Sequence, residues 1–324
     1  MDLNDITIGS DPEFFITDEH GTVVMPDDLT TGTKLKPQKV FVTPGRFYIG
    51  LQRDGMSLEW TLPPGKLMTN MLSRRNAAAL WFIQNEFLRK YNEKNGTSLR
   101  LTSRVGNLFS HEVLAKVPID HRRIGCSPDF YARDGQPIDR ASLVDADNVP
   151  LSSMRYVGGH MHIGWTKNVS INDPSHLDAC RLLTKGLGYL LSCVDHDRRE
   201  AQLRSLAWSS ALSYRPTSYG VEIRAPTTYW LLHPHITKQV QLLVIKFLRA
   251  LLLYGPKDFY YRGGLLLHWH NNERDEWTPT SYLMSGNYKG LLFRNTPEDP
   301  EALLNSTLAS SNIERPVRYS RNQW

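Results

Sequence analysis

Three short segments of this sequence place ionisable side chains at every second position, which restricts how the chain can fold. The three pairs are Asp11 and Glu13, His160 and His162, and Glu222 and Arg224. Because successive side chains of a β-strand point to opposite faces, the two members of each pair share one face of a sheet. We therefore expect an α+β fold in which one curved, mainly antiparallel sheet turns the pairs toward a common site, with helices packed on its outer face.

Three longer stretches carry apolar residues at helical spacing and predict helices over 66–95, 173–195 and about 235–253. Gly96 fits the end of the first helix, and Asp173-Pro174 has the order of a helix start. No low-complexity linker divides the chain. The sequence therefore predicts one domain over residues 1–295 and a tail over 296–324 that packs on the body, forms an oligomer arm or is partly disordered.

Composition excludes several classes of protein. Hydrophobic residues make up 40% of the 324 residues and charged residues 22%, which is typical of a globule and not of a disordered chain. The three cysteines are far apart and odd in number, which argues against a disulfide framework and favours a reducing cytoplasm. The sequence has no signal-peptide pattern and no apolar stretch long enough to cross a bilayer. Its net charge of +5 suits anionic small molecules and nucleic acids alike.

The segment Gly158-Gly159-His160-Met161-His162-Ile163-Gly164 is the sharpest local motif. Imidazoles on one strand face can bind a divalent metal or a phosphate, and flanking glycines leave room for a ligand to approach the backbone. A structural or surface-exposed histidine pair is the alternative.

The other two pairs also have two interpretations each. Glu222 and Arg224 form either an ordinary strand salt bridge or a metal ligand beside a guanidinium that holds phosphate oxygens. Asp11 and Glu13 either flank a cation such as magnesium or lie on a solvated edge strand, and Pro12 between them favours an edge or irregular strand.

Further acids extend this pattern. Asp54 and Glu59 flank a predicted hairpin turn at Asp54-Gly55, and Asp129 lies within a segment, residues 124–131, that echoes residues 8–15. The echo predicts two equivalent strands. The chain has no GxxxxGK[ST], GxGxxG or GxSxG motif, which excludes P-loop, dinucleotide-binding and nucleophile-elbow sites.

Taken in order, these motifs resemble the phage-type carboxylate-amine (COOH-NH2) ligase family, type 2. The likeness rests on the segments 10–15, 54–59, 125–130, 158–164 and 215–224, and it covers about residues 8–230. That family is similar to glutamate-cysteine ligases and, more distantly, to glutamine synthetase. The resemblance implies a half-barrel sheet and an enzyme that uses ATP to form an amide through an acyl phosphate.

The resemblance also implies two to three magnesium or manganese ions. Glu13 and Glu59, helped by Asp54, would hold the ion on the acyl side. The ion between the nucleotide phosphates would be held by Asp11, His160 and Glu222.

The remaining roles follow from the same resemblance. Arg215 and Arg224 would stabilise the transferring phosphoryl group. His162 would orient a phosphate or bind the substrate carboxylate, and Asp129 would steer the amine or take its proton. The loop expected to cover the nucleotide carries Lys34 and Lys36.

The expected partners are a small-molecule or peptide carboxylate and an amine, in the cytoplasm of an infected host cell if the phage resemblance holds. No membrane is expected and nucleic acid is disfavoured, while a homo-oligomer is left open. Two other classes of function remain: a guanidino-kinase-like phosphotransferase, and a non-catalytic protein that binds a host partner or nucleic acid on the same scaffold.

Overall fold

The chain is described by a computed structural model over residues 2–26, 29–118, 129–132, 134–138, 153–166, 168–194, 213–224, 226–262 and 300–309. Its strands are β1 Thr7–Phe14, β2 Ile16–Thr17, β3 Val23–Val24, β4 Gln38–Val42, β5 Phe47–Asp54, β6 Ser57–Thr61, β7 Gly65–Lys66, β8 Arg100–Leu101, β9 Gly106–Leu108, β10 Phe130–Tyr131, β11 Met154–Tyr156, β12 Gly159–Gly164, β13 Ser213–Thr217 and β14 Gly220–Ile223. Its α-helices are α1 Met71–Phe82, α2 Arg89–Asn95, α3 His111–Lys116, α4 Pro174–Val194, α5 Pro234–Arg262 and α6 Pro300–Leu308.

Most of the described strands form one large antiparallel sheet. Its order is β10–β13–β14–β12–β1–β6–β5–β4, and β7 also pairs with β1. The two end strands in this order, β10 and β4, are not paired with each other, so the described sheet is open and not a closed barrel. The predicted α+β class with a mainly antiparallel sheet is therefore confirmed.

The helices cover one face of this sheet. Strand residues such as Ile8, Trp60 and Ile163 are fully buried and share one core with Leu80 of α1 and Leu187 of α4. The residues that alternate with them point to the opposite face, because side chains on a strand alternate. The apolar face therefore fixes the register, since a slip of one residue would turn the polar set into the core.

The three predicted helices are present, but the first begins at Met71 and not at residue 66, because Lys66 lies in β7 and pairs with Thr7. The first is continuous from α1 through a π-helical turn, Ile83–Leu88, into α2, and it ends at Gly96 in the left-handed conformation with φ of 64°. The second, α4, is capped by Asp173, whose Oδ1 accepts from the backbone N–H of His176 at 2.9 Å. The third, α5, starts at Pro234 and continues nine residues beyond its predicted end at 253, to Arg262.

Strand β1 lies in the middle of the sheet, so the edge strand that Pro12 suggested is wrong, whereas the alternative of an irregular strand agrees with the interrupted pairing on one side of β1. It pairs with β12 along Thr7–Pro12, but with β7 only at Thr7–Ile8 and with β6 only at Glu13–Phe14. Pro12 lies in the gap between β7 and β6. A central strand therefore tolerates the missing N–H group of proline here.

The predicted hairpin is present, with β5 and β6 joined by Gly55 and Met56 between the paired residues Asp54 and Ser57. Of the segment that echoes β1, residues 124–128 lie outside the described residues. Its described end forms β10, which pairs with β13. Part of the predicted tail is helix α6, where Leu304 is fully buried and Thr307 Oγ1 donates to the carbonyl of Leu232 at 2.8 Å.

Candidate active site

The ionisable side chains singled out in the sequence lie together on the face of the sheet opposite the core that it shares with α1 and α4. The directly opposed pairs on neighbouring strands are Asp11 and His160, Glu13 and Glu59, His162 and Glu222, and Arg215 and Glu222. Opposed residues of antiparallel strands have Cβ atoms only about 5 Å apart. Strand register alone therefore brings together residues as far apart in the chain as Asp11 and His160.

Three carboxylates form an acid cluster at β1, β5 and β6. Oxygen atoms of Glu13, Asp54 and Glu59 lie within 4.8 Å of one another. Gln52, opposite Glu59 on β5, donates its Nε2 to Glu59 Oε2 at 2.9 Å. Lys34 Nζ lies 2.6 Å from Asp54 Oδ2. The structure thus groups the same three acids that the family resemblance assigned to one ion.

The acid cluster combines three carboxyl groups with the ammonium group of Lys34. Burial, followed by the charge of Asp54, raises the pKa of Glu59 well above its usual range, although Lys34 opposes this shift. For Lys34, burial lowers the pKa, but Asp54 and Glu59 outweigh this effect and leave it above its ordinary value. A group of hard oxygen donors that a single ammonium does not neutralise has the chemistry that magnesium or manganese requires.

Glu13 is held in place by the neighbouring strand. The backbone N–H of Gly158 donates to Glu13 Oε2 at 2.6 Å, and His160 Nε2 lies 3.6 Å from Glu13 Oε1. On its other side, His160 Nδ1 lies 3.3 Å from Glu222 Oε1. His160 therefore connects the acid cluster to a second group of charges on β13 and β14.

This second group is a closed ring of two carboxylates and two guanidinium groups. Arg215 Nη2 and Arg224 Nε each lie 3.0 Å from one oxygen of Asp129. Arg215 Nη1 lies 3.0 Å from Glu222 Oε2, and Arg224 Nη1 contacts Glu222 Oε1. Each carboxylate thus bridges both arginines, which fixes the planes of the two guanidinium groups.

Burial affects the members of the arginine ring unequally. The side chain of Arg215 is 25% exposed, whereas those of the other three members are almost fully buried. Burial alone would raise the pKa of Glu222, but Arg224 and His162 lower it to about 2. The pKa of Arg224 is raised because Glu222 and Asp129 outweigh its burial. Glu222 and Arg224 are therefore charged at neutral pH, and Arg215 is the least buried member of the ring.

His162 has partners other than those expected. Its Nε2 lies 2.9 Å from Asp11 Oδ2, and its Nδ1 lies 2.6 Å from the hydroxyl of Tyr219. Burial lowers the pKa of His162, but Asp11 more than offsets this and leaves it raised. Asp11 thus forms its ion pair with His162, although the family resemblance grouped Asp11 with His160 and Glu222.

Lys34 and Lys36 differ although they lie in the same loop. Lys34 reaches the acid cluster. Lys36 is exposed, and its backbone pairs with Thr33 in a tight turn. No described contact joins the side chain of Lys36 to the acid cluster or to the arginine ring, so its expected role at the nucleotide stays a prediction.

Two residues of this face escaped the sequence reasoning. Gln52 stands two positions before Asp54 on β5, so strand alternation alone would have placed both on one face. Tyr219 lies in the turn between β13 and β14, inside the segment 215–224 that the family resemblance already contained. Neither residue carries a charge at neutral pH, so neither belongs to the pattern of charged residues that predicted the site.

Two glycines of the histidine motif have a different role from the one expected. A Cβ atom on Gly159 would lie 2.6 Å from the carbonyl oxygen of Thr227 and 2.9 Å from Trp230 Nε1. A Cβ atom on Gly164 would lie 2.5 Å from Thr7 Oγ1. Both glycines therefore permit close packing between parts of the protein and do not leave room for a ligand at these positions.

Comparison with protein-family models, with curated proteins and with solved structures finds no match to this chain. Among the described residues, no helix has the length and apolar character needed to cross a membrane.

Proposed function

We propose that this protein is an ATP-dependent carboxylate-amine ligase that forms an amide through an acyl phosphate. One observation carries the proposal: an acid cluster suited to divalent cations and a fixed pair of arginines lie side by side on one sheet face, joined by His160. Phosphoryl transfer depends mainly on positioning and on neutralising charge, and both groups serve these needs.

In this proposal, Glu13, Asp54 and Glu59 would hold one divalent cation. A second, held by Asp11, His160 and Glu222, would have to displace His162 from Asp11 and an arginine from Glu222. Bound magnesium or manganese would neutralise charge on the nucleotide phosphates and on the transferred group. The donor set of the first cation fits these ions because oxygen atoms of its three carboxylates lie within 4.8 Å of one another.

The arginine ring would stabilise the transferred phosphoryl group. The substrate carboxylate attacks the γ-phosphorus, the bond to ADP breaks, and an acyl phosphate forms. Arg215, the least buried member of the ring, would meet phosphoryl oxygens, and Arg224 would support it from the buried side. The amine then attacks the acyl carbon, the bond between that carbon and the phosphate oxygen breaks, and the amide forms while inorganic phosphate leaves with the proton lost by the amine.

The geometry refines the roles of Asp129 and His162. Asp129 is buried, and its two oxygens each face one arginine, so we assign it to orienting the arginines and not to accepting the proton of the amine. His162 is occupied by Asp11 and Tyr219, which suits a group that orients Asp11 at the edge of the site.

The test uses hydroxylamine as the amine, with ATP, Mg²⁺ and each of a panel of free amino acids as the carboxylate. The wild-type chain should produce an acyl hydroxamate, ADP and inorganic phosphate in equal amounts. Arg224→Lys should lower turnover at least about a hundredfold, because a point charge cannot replace the planar guanidinium. Glu112→Gln, which changes an exposed glutamate of α3, is the matched control and should retain turnover.

The products separate this proposal from its alternatives. A guanidino-kinase-like enzyme would release ADP and phosphorylate a guanidine without forming a hydroxamate. Tight binding of nucleic acid that weakens steeply with salt, without ATP turnover, would favour a non-catalytic protein. Normal hydroxamate formation by both Arg224→Lys and Glu13→Gln would overturn the site assignment.

A further inference from the structure

The ammonium group of Lys34 lies against the acid cluster and therefore affects how tightly the cluster can bind a cation. Its Nζ is 2.6 Å from Asp54 Oδ2. The negative charges of Glu59 and Glu13 also favour the charged form of Lys34 and raise its pKa. An ammonium this close to a carboxylate uses an oxygen that a metal ion would need as a ligand. It also repels a second cation at short range.

The loop that carries Lys34 is anchored at its base and exposed at its tip. Gly32 accepts from the backbone N–H of Arg53 at 3.2 Å, and a Cβ atom on Gly32 would lie 2.0 Å from the carbonyl oxygen of Leu51. Lys34 and the fully exposed Leu35 form the turn between Thr33 and Lys36. The Lys34 side chain is 39% exposed, so its ammonium can leave the cluster without disturbing the base of the loop.

Gln52 supplies an independent sign that this cluster accepts a ligand. The Gln52 side chain is buried and donates to Glu59, but its Oε1 atom has no hydrogen-bond partner. A buried carbonyl oxygen without a donor is costly, and a cation in the cluster would give it a partner.

We infer that Lys34 is a resident counter-cation of the acid cluster, which a divalent ion must displace and which thereby sets the affinity of the site for that ion. The inference rests on the proposed function only in treating Glu13, Asp54 and Glu59 as a cation site. It differs from the role in nucleotide binding that the family resemblance gave to Lys34.

The test is calorimetric titration of Mn²⁺ into the full chain without nucleotide. Lys34→Met removes the ammonium and keeps the length of the side chain, and it should raise Mn²⁺ affinity by about tenfold. Lys34→Arg keeps the positive charge and should bind Mn²⁺ no more tightly than the wild type. Lys39→Met makes the same change of charge at an exposed position of β4, and it should alter the affinity less than about twofold because that charge is screened by solvent.

A thermal readout covers the case in which Lys34→Met is unstable. Without its counter-cation the acid cluster repels itself, so this variant should melt below the wild type in metal-free buffer and gain more from Mn²⁺. Equal affinities for the wild type and Lys34→Met, or no Mn²⁺ binding by either, would overturn the inference. Failure to turn over ATP while the affinities differ as expected would count against the ligase proposal alone.

Discussion

Glu59 and Glu222 are buried glutamates on the same face of the same sheet, yet their pKa values shift in opposite directions. Glu59 shares its surroundings with other carboxylates, so burial and repulsion both favour its neutral form. Glu222 lies between two guanidinium groups, which outweigh the effect of burial and favour its charged form. Glu59 therefore favours its neutral form and Glu222 its charged form, because the neighbouring charges differ.

The environment of Glu59 predicts that Glu59→Gln stabilises the metal-free protein. An acid with a raised pKa in the folded state contributes stability at low pH and loses it as pH rises toward that pKa. Replacing it by the neutral amide should raise the free energy of unfolding at pH 7 by about 1 kcal/mol, measured by urea denaturation.

Glu93→Gln provides the comparison for this change. Glu93 is an exposed glutamate that pairs with Arg89 on α2, and its replacement should alter stability by less than about 0.5 kcal/mol. Equal or lower stability of Glu59→Gln relative to the wild type would show that the acid cluster is not under repulsion.

At the scale of elements, positions that suggested an edge strand or ligand contacts have other roles in the fold. Pro12 lies in a central strand because β6 and β7 leave a gap at that point. Gly159 brings β12 close to the segment of Trp230, whose Nε1 donates to the Gly159 carbonyl at 2.8 Å. Such uses of proline and glycine depend on partners that are distant in sequence, and local propensity does not reveal them.

Helix α6 illustrates the same dependence and gives a prediction. Leu304 is fully buried in the main core, so Leu304→Ala should lower the free energy of unfolding by about 3 kcal/mol through lost apolar contact and a cavity. Asn305→Ala, at the adjacent exposed position of the same helix, should change it by less than about 0.5 kcal/mol. Thermal and urea unfolding would measure both variants, and equal effects would show that α6 does not pack on the core.

For the whole molecule, the arginine ring predicts how stability depends on acid. The pKa of Glu222 falls from an ordinary 4.5 to about 2, so its stabilising effect is complete above pH 4.5 and is lost as pH falls toward 2. The shift corresponds to about 3 kcal/mol of unfolding free energy. Breaking the ring by Glu222→Gln should therefore destabilise the protein at pH 7 by at least this order.

The decisive measurement is the difference in unfolding free energy between the wild type and Glu222→Gln across that pH range. The difference should shrink as pH falls from about 4.5 to about 2, because the wild-type carboxyl group is then protonated too. A difference that stays constant over this range would mean that the charge of Glu222 does not stabilise the fold.

Much of this arrangement could be predicted from the sequence. Alternation assigned Asp11, Glu13, His160 and His162 to one face, and the apolar residues between them assigned the other face to the core. The partners within that face were only partly predictable. The family resemblance grouped Glu13 with Asp54 and Glu59, as the structure does, but it paired Asp11 with His160, whereas the structure gives Asp11 to His162.

The order of residues along the chain thus determined which side chains share a face, because the period of a strand is a local property of the backbone. Which of them touch was decided by the tertiary structure, since strand order and register join segments far apart in sequence. The tertiary structure also determined which carboxyl groups favour the charged form and which favour the neutral form. The pKa of a carboxyl group depends on burial and on charges within a few ångströms, as the contrast between Glu59 and Glu222 shows.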